Sequence, residues 1–241
     1  MKKSLIILLM SIFVIGSVNA TNKVVKLRAE NMKCGGCSGK IKKTVIAIDG
    51  VSDFSADLEK RVVTISYDDA KVNAEQLKEA IVALKYEAKD YDPNEVITRT
   101  VSFQAGQMGC GGCAAKVKKN IGAEAGVLSV NVDLPTKEVK VEYDANKVSS
   151  KEIQKDFQKF NYTVAKYWAS EKVKYAFFNA EKLDNADELE QNLAKEKGVY
   201  DVATNEKTKN IAIAYNATTL DEAALIESIK KFNVNLIASS K

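Results

Sequence analysis

The sequence predicts an α+β protein made of three tandem β-α-β-β-α-β units, each an antiparallel four-stranded sheet with two helices on one face. Three observations carry this reading. First, the 241-residue chain repeats: an offset of 76 brings Cys37 onto Cys113, Gly50 onto Gly126, Val63 onto Val139 and Tyr67 onto Tyr143. An offset of 72 continues the series, with Gly126 onto Gly198, Tyr143 onto Tyr215 and Phe160 onto Phe232. Second, the apolar residues of each copy recur at strand spacing and then at helix spacing, in the same order each time. Third, each copy is about 70 residues long, enough for one such unit.

Val24 to Ala29 reads as the first strand, and a loop bearing cysteines follows it. The first helix presents Ile41 and Val45 on one face, matched by Val117 and Ile121, then by Leu189 and Leu193. Gly50, Gly126 and Gly198 read as the carboxyl-terminal stops of these helices. Two strands come next. The second alternates, with Val139, Val141 and Tyr143 inward and Lys140 and Glu142 outward; Ile211, Ile213 and Tyr215 do likewise. The second helix carries Leu77, Ile81 and Leu84, matched by Ile153, Phe157 and Phe160, and by Leu225, Ile229 and Phe232. A short last strand closes each copy, giving the ferredoxin-like split arrangement. The units are expected at residues 24–92, 98–168 and 173–238, with linkers near Tyr91 to Ile97 and near Tyr167 to Glu171. Cores this small are modest, so each unit should lean on a neighbour or on bound metal.

Residues 1–20 have the layout of a secretory signal peptide: Lys2 and Lys3, an apolar run from Leu5 to Val18, and Val18-Asn19-Ala20 before Thr21. That run is short for a bilayer span, and none later in the chain is long enough. The expectation is a periplasmic or secreted protein, starting near Thr21 and not transmembrane after cleavage. Without Lys2 and Lys3 the net charge falls from +4 to about +2, with bases and acids interspersed. Nucleic acid is not an expected partner, because no basic cluster stands among groove-reading or stacking residues.

The chemistry is confined to two spots. Met32-Lys33-Cys34-Gly35-Gly36-Cys37 and Met108-Gly109-Cys110-Gly111-Gly112-Cys113 hold all four cysteines, and the chain has no histidine. That removes the commonest general base, the usual activator of a nucleophile and the usual nitrogen ligand of zinc. A Cys-x-x-Cys pair can be a metal thiolate, a redox dithiol or a structural disulfide. A closed loop this short gains little stability, so stapling alone is a poor reason for the motif.

Met-x-Cys-x-x-Cys on the first loop of such a unit resembles the heavy-metal-associated domain of copper chaperones, of the amino-terminal modules of metal-pumping ATPases and of periplasmic mercuric-ion-binding proteins. The resemblance covers residues 24–92 and 98–168 with the motif intact. Residues 173–238 match in pattern only, with Ala180, Lys182 and Asn185 where Met, Cys and Cys would be. It implies metal ligation by Cys34, Cys37, Cys110 and Cys113, with Cys37 and Cys113 at a helix start that lowers their pKa. It also implies that Met32 and Met108 are buried loop anchors and that Tyr86 and Tyr162 lie on a loop approaching the metal. The paired glycines should let the backbone swing both sulfurs to one side.

Lys40, Lys42 and Lys43, matched by Lys116, Lys118 and Lys119, follow the thiols. They suit either a net-negative bis-thiolate centre or an acidic partner beside them, or are simply a solvated face. The third unit inverts the pattern with Asp187, Glu188 and Glu190, as an acidic mimic of a docking partner or as ordinary helix-start acids. The metal is read as Cu(I), with Hg(II) or Zn(II) as the alternatives, because Lys33 and Gly109 stand where a zinc or cadmium site would want an acid. The expected function is an exported, non-enzymatic carrier that binds and transfers or scavenges Cu(I), with a metal donor or acceptor such as a membrane metal transporter as partner. The alternatives are mercuric-ion binding and thiol–disulfide exchange. The latter lacks a tryptophan before the first cysteine and a proline facing the pair.

Overall fold

The computed structural model describes residues 22–237; the expected signal peptide lies outside the described residues. Among them are three sheets of four antiparallel strands and six helices. Domain 1 runs β1 (Asn22–Ala29), α1 (Gly35–Ile46), β2 (Val51–Asp57), β3 (Val62–Asp68), α2 (Ala74–Ala83) and β4 (Ala88–Asp90), with strand order β2-β3-β1-β4. Domain 2 repeats it as β5 (Thr98–Gln104), α3 (Gly111–Gly122), β6 (Val127–Asp133), β7 (Glu138–Asp144), α4 (Ser150–Lys159) and β8 (Ala165–Lys166), ordered β6-β7-β5-β8. Domain 3 is β9 (Val173–Ala180), α5 (Ala186–Leu193), β10 (Val199–Asn205), β11 (Asn210–Asn216), α6 (Glu222–Lys230) and β12 (Leu236–Ile237), ordered β10-β11-β9-β12.

The expected helix faces form the cores. Ile41, Val45, Leu77 and Ile81 are fully buried against Leu27, Val63 and Ile65 of the sheet in domain 1. In domain 2 the rings of Phe103 and Phe157 meet with centroids 5.3 Å apart. Leu189, Leu193, Leu225 and Ile229 do the same work in domain 3. Helices α2 and α4 start in complete capping boxes, Asn73 with Gln76 and Ser149 with Glu152, which satisfy two orphan N–H groups each. The three repeat glycines do not stop the first helices. Helix α1 closes on Ala47, and Gly50 (φ +98) ends the turn before β2, where it accepts from Asp68 N–H at 2.7 Å.

The chain forms two compact units, one up to Tyr91 and one from Asp92 onward, so domains 2 and 3 make a single body. What joins them is the sheet face of domain 3 that its own helices leave uncovered. On β7 the outward residues are Lys140 and Glu142, but the matching residues of β11 are Ala212 and Ala214, both fully buried. They pack with Ala165 of β8, Val173, Tyr175 and Phe177. Polar groups complete the joint. Asp201 accepts from Gln154 Nε2 at 2.6 Å and from Lys166 N–H at 2.8 Å. Gln158 Nε2 donates to Thr204 O at 2.7 Å, and Lys151 reaches Glu190 at 3.2 Å. The expected linker near Tyr167 is itself packed: Tyr167 stacks on Tyr175, and Trp168 lies against Tyr200.

Candidate metal centre

In domains 1 and 2 the loop after the first strand turns by a Met N–H to Ala O bond, Met32 to Ala29 and Met108 to Ala105, each 2.9 Å. Both methionines are fully buried, as loop anchors should be. The next cysteine, Cys34 or Cys110, is the N-cap residue in extended conformation, and Cys37 or Cys113 is the third helical residue. The N-cap cysteine is exposed and its partner half-buried. Helices α1 and α3 have no acidic residue in the first turn, whereas α2, α4, α5 and α6 all do. The positive end of the dipole is thus left for the sulfurs.

The sulfurs of Cys34 and Cys37 lie 3.0 Å apart, and Cys110 and Cys113 are joined as a disulfide. The Cys37 thiol is pulled down to about 7, first by its hydrogen bond with Cys34, then by the backbone at Lys33 and by the Tyr86 hydroxyl, against some desolvation. Desolvation, with the neighbouring Cys37, raises Tyr86 in turn. A half-ionised thiol at neutral pH is a competent nucleophile and soft-metal ligand. Among the described residues no His, Cys, Asp or Glu gathers with either pair into a group of three or more. Each pair therefore offers two sulfurs and no third strong side-chain donor of these types.

The glycines between the thiols have helical rather than left-handed backbone, so they do not supply the expected swing. A methyl group at Gly36 would come into ordinary contact, 3.8 Å, with the Cys34 sulfur. Lys40, Lys42, Lys43, Lys116, Lys118 and Lys119 are all exposed and, among the described residues, form no ion pair. A latch was missed in the sequence: Arg61 Nη1 donates to Glu30 O at 2.8 Å and Lys137 Nζ to Gly106 O at 2.9 Å, each holding the entry of a cysteine loop. The repeat offset that aligns Arg61 with Lys137 was the signal for it.

In domain 3 the comparison by offset is out of step. Ile211 pairs with Phe178 as Val139 pairs with Phe103, which places Leu183, buried in the core, where Met108 stands. Asn185 then takes the N-cap place of Cys110. Helix α5 has eight residues against twelve in α3, and what is missing includes the turn that would carry the second thiol. Its acids do not meet the lysines of α3. Glu190 caps Thr204 and reaches Lys151 of α4, while among the described residues Asp187 and Glu188 form no ion pair.

Residues 26–87 and 102–163 match the heavy-metal-associated domain. The chain belongs to that family. Domains 1 and 2 are its two matched copies, and domain 3 shares their topology. Among similar proteins, the copper chaperone CopZ of Staphylococcus haemolyticus is 35% identical over 68 residues, 28% of this chain and 97% of its own. A copper-exporting P-type ATPase of Bacillus subtilis is 25% identical over 140 residues, 58% of this chain. The match spans only 16% of that ATPase. Among solved structures, the N-terminal soluble domains of Bacillus subtilis CopA match 63% of this chain and 98% of their own at 23% identity, with a TM-score of 0.29.

Proposed function

We propose that this heavy-metal-associated chain is an exported carrier that holds Cu(I) at Cys34/Cys37 and at Cys110/Cys113 and passes it to another thiol-bearing protein. The observation that carries the reading is the matched placement of the two pairs: one exposed sulfur at the N-cap, one half-buried sulfur a turn later and, among the described residues, no His, Cys, Asp or Glu gathered with them into a group of three. Two thiolates suit a soft monovalent ion that accepts low coordination, and they leave room for an incoming ligand. In transfer, a partner thiolate adds to the ion while the exposed Cys34 or Cys110 still holds it. The thiolates of this chain then leave one at a time, each free to take up a proton as it goes. Cys37, half-buried one turn into the helix, is the less accessible of the two sulfurs and so is suited to the role of last ligand.

Support for copper comes from the similarity to a copper chaperone and to a copper-exporting ATPase, and a membrane exporter of that kind is the partner class we propose. Export rests on the sequence of residues 1–20. The disulfide at Cys110–Cys113 means that the second pair must be reduced by two electrons before it can load. The test is a Cu(I) titration of the reduced chain from Thr21 against a competing chelator, beside Hg(II), Zn(II) and a variant with all four cysteines changed to serine. Two tight Cu(I) equivalents, lost in the serine variant, are expected. Tight Hg(II) binding without tight Cu(I) would move the cargo to mercury, and rapid disulfide exchange with neither would make the pairs redox centres.

A further inference from the structure

Domain 3 carries no thiols, yet it touches the loop that carries those of domain 2. Gly106 opens that loop. A Cβ built on Gly106 would lie 2.4, 2.5 and 2.7 Å from three carbons of the Phe177 ring, so only glycine leaves space for the ring there. The corresponding residue of domain 1 is Glu30, whose side chain pairs with Arg28 at 2.6 Å and with Lys89 at 3.8 Å. The entry of the first cysteine loop is thus braced by side chains of its own domain. The entry of the second, held by Lys137 of its own domain at the Gly106 carbonyl, is braced in addition by a ring from the next.

Phe177 belongs to the docking face. It pairs in register with Ala212 and packs in the cluster that contains Ala165. The same face secures the other loop of domain 2 that borders the thiols in the family arrangement, residues 162–164. Gln154 Nε2, which donates to Asp201, also donates to Val164 O at 2.9 Å, and Thr163 N–H donates to Gln107 Oε1 at 3.3 Å. Gln107 sits between Gly106 and Met108, so the two loops are tied to each other and both are tied to domain 3.

We infer that domain 3 positions the second metal loop, with Phe177 as the positioning residue: its ring packs against Gly106 and fixes the entry of the segment leading to Cys110. The proposal rests on the reading of Cys110/Cys113 as a metal site. A loop already ordered loses less conformational entropy when its sulfurs close on an ion, and outer supports of metal ligands typically govern affinity by about 10–100-fold. Phe177 lies outside the core formed by the helices and sheet of domain 3, so its removal leaves that core its own contacts.

The experiment uses the full chain with Cys34→Ser and Cys37→Ser, so that only the second site can load, and adds Phe177→Ala, Phe177→Leu or Gly106→Ala. Two quantities are read: Cu(I) affinity by chelator competition, and hydrogen exchange at residues 106–113 of the reduced, metal-free protein. Phe177→Ala should weaken Cu(I) binding by about tenfold or more and speed exchange in the loop, with Phe177→Leu between it and the parent. Strands β10 and β11 should stay protected. Gly106→Ala, which displaces the ring from the other side, should have the same effect while leaving the core of domain 3 intact. In the converse chain with Cys110→Ser and Cys113→Ser, Phe177→Ala should leave the first site unchanged. Unchanged loop exchange and affinity within about twofold in both Phe177→Ala and Gly106→Ala overturn the proposal. If the parent binds no Cu(I), the functional reading fails instead, and the exchange data still decide whether Phe177 orders the loop.

Discussion

Ala212→Lys should detach domain 3 from domain 2 without unfolding either. At the matching position domain 2 carries Lys140, exposed on a sound sheet, so a lysine there is compatible with the fold of the domain. In domain 3 the position is fully buried by the joint. The joint can be weighed. The Gln154–Asp201, Lys166–Asp201 and Gln158–Thr204 hydrogen bonds contribute about 1 kcal/mol each, and the small apolar cluster around Ala165 adds on the order of 1–2 kcal/mol. A sum of about 4 kcal/mol keeps the open form near one molecule in a thousand, at roughly 1.4 kcal/mol per factor of ten. Burying an unpaired ammonium costs several kcal/mol, which exceeds that sum and inverts the population. Trp168, the single tryptophan, lies in the joint against Tyr200 and reports on it. The variant should show altered Trp168 emission and faster exchange in β8, while β10, β11 and α6 keep their protection. Unchanged emission and exchange would mean that the alanines do not seat the domain. Loss of the domain 3 sheet would mean that its outer face cannot be separated from its core.

Three further outcomes follow from local features. Tyr86→Phe removes a hydrogen bond to Cys37, so the thiol pKa should climb above about 7 and alkylation of Cys37 at neutral pH should slow; Cys34→Ala, which removes the larger cause, should slow it more. Burial raises the Asp201 carboxyl above its ordinary value, despite the opposing hydrogen bonds from Lys166 and Gln154 and the charges of Lys151 and Lys166. A raised carboxyl binds its proton more tightly when docked, so its contribution is full at acid pH and is lost as pH climbs through the raised value. Melting followed by Trp168 emission should show that slope, and Asp201→Asn should flatten it. Gly50→Ala forces a side chain to φ +98 and puts its Cβ 2.7 Å from Lys71 Cβ, so domain 1 should lose about 1–3 kcal/mol in denaturant unfolding while the unit from Asp92 onward is unaffected.

The repeat offsets and the two apolar periods sufficed for the architecture, because Leu77, Ile81, Ile153 and Phe157 sit at spacings that only a helix on a sheet buries together. The thiol pairs were legible because the chain offers no other soft ligands besides its methionines. Less legible was the shortened start of α5. A constant offset hides a deletion when the core residues on either side, Leu189 and Phe178, each have an apolar counterpart in the other repeats. The joint between domains 2 and 3 was missed for another reason. The inward side of β11 repeats the pattern with Ile211, Ile213 and Tyr215, while the signal lies outward, where Ala212 and Ala214 replace Lys140 and Glu142. Gly106 and Phe177 could not be paired from sequence at all, since nothing local links two residues 71 positions apart.

The way these helices begin links cargo to folding. Helices α2 and α4 tie their N-cap side chain to the third helical residue through capping boxes. In α1 and α3 those same two places are held by Cys34 and Cys37, and by Cys110 and Cys113. An ion or a disulfide that bridges the pair closes the ring that a box closes by hydrogen bonds, so it acts as a removable cap worth on the order of 1 kcal/mol to the helix. The emptied, reduced protein keeps these two helix starts by weaker local hydrogen bonds, such as the 3.0 Å contact between the Cys34 and Cys37 sulfurs. Protection of those two turns would report occupancy without any signal from the cargo itself.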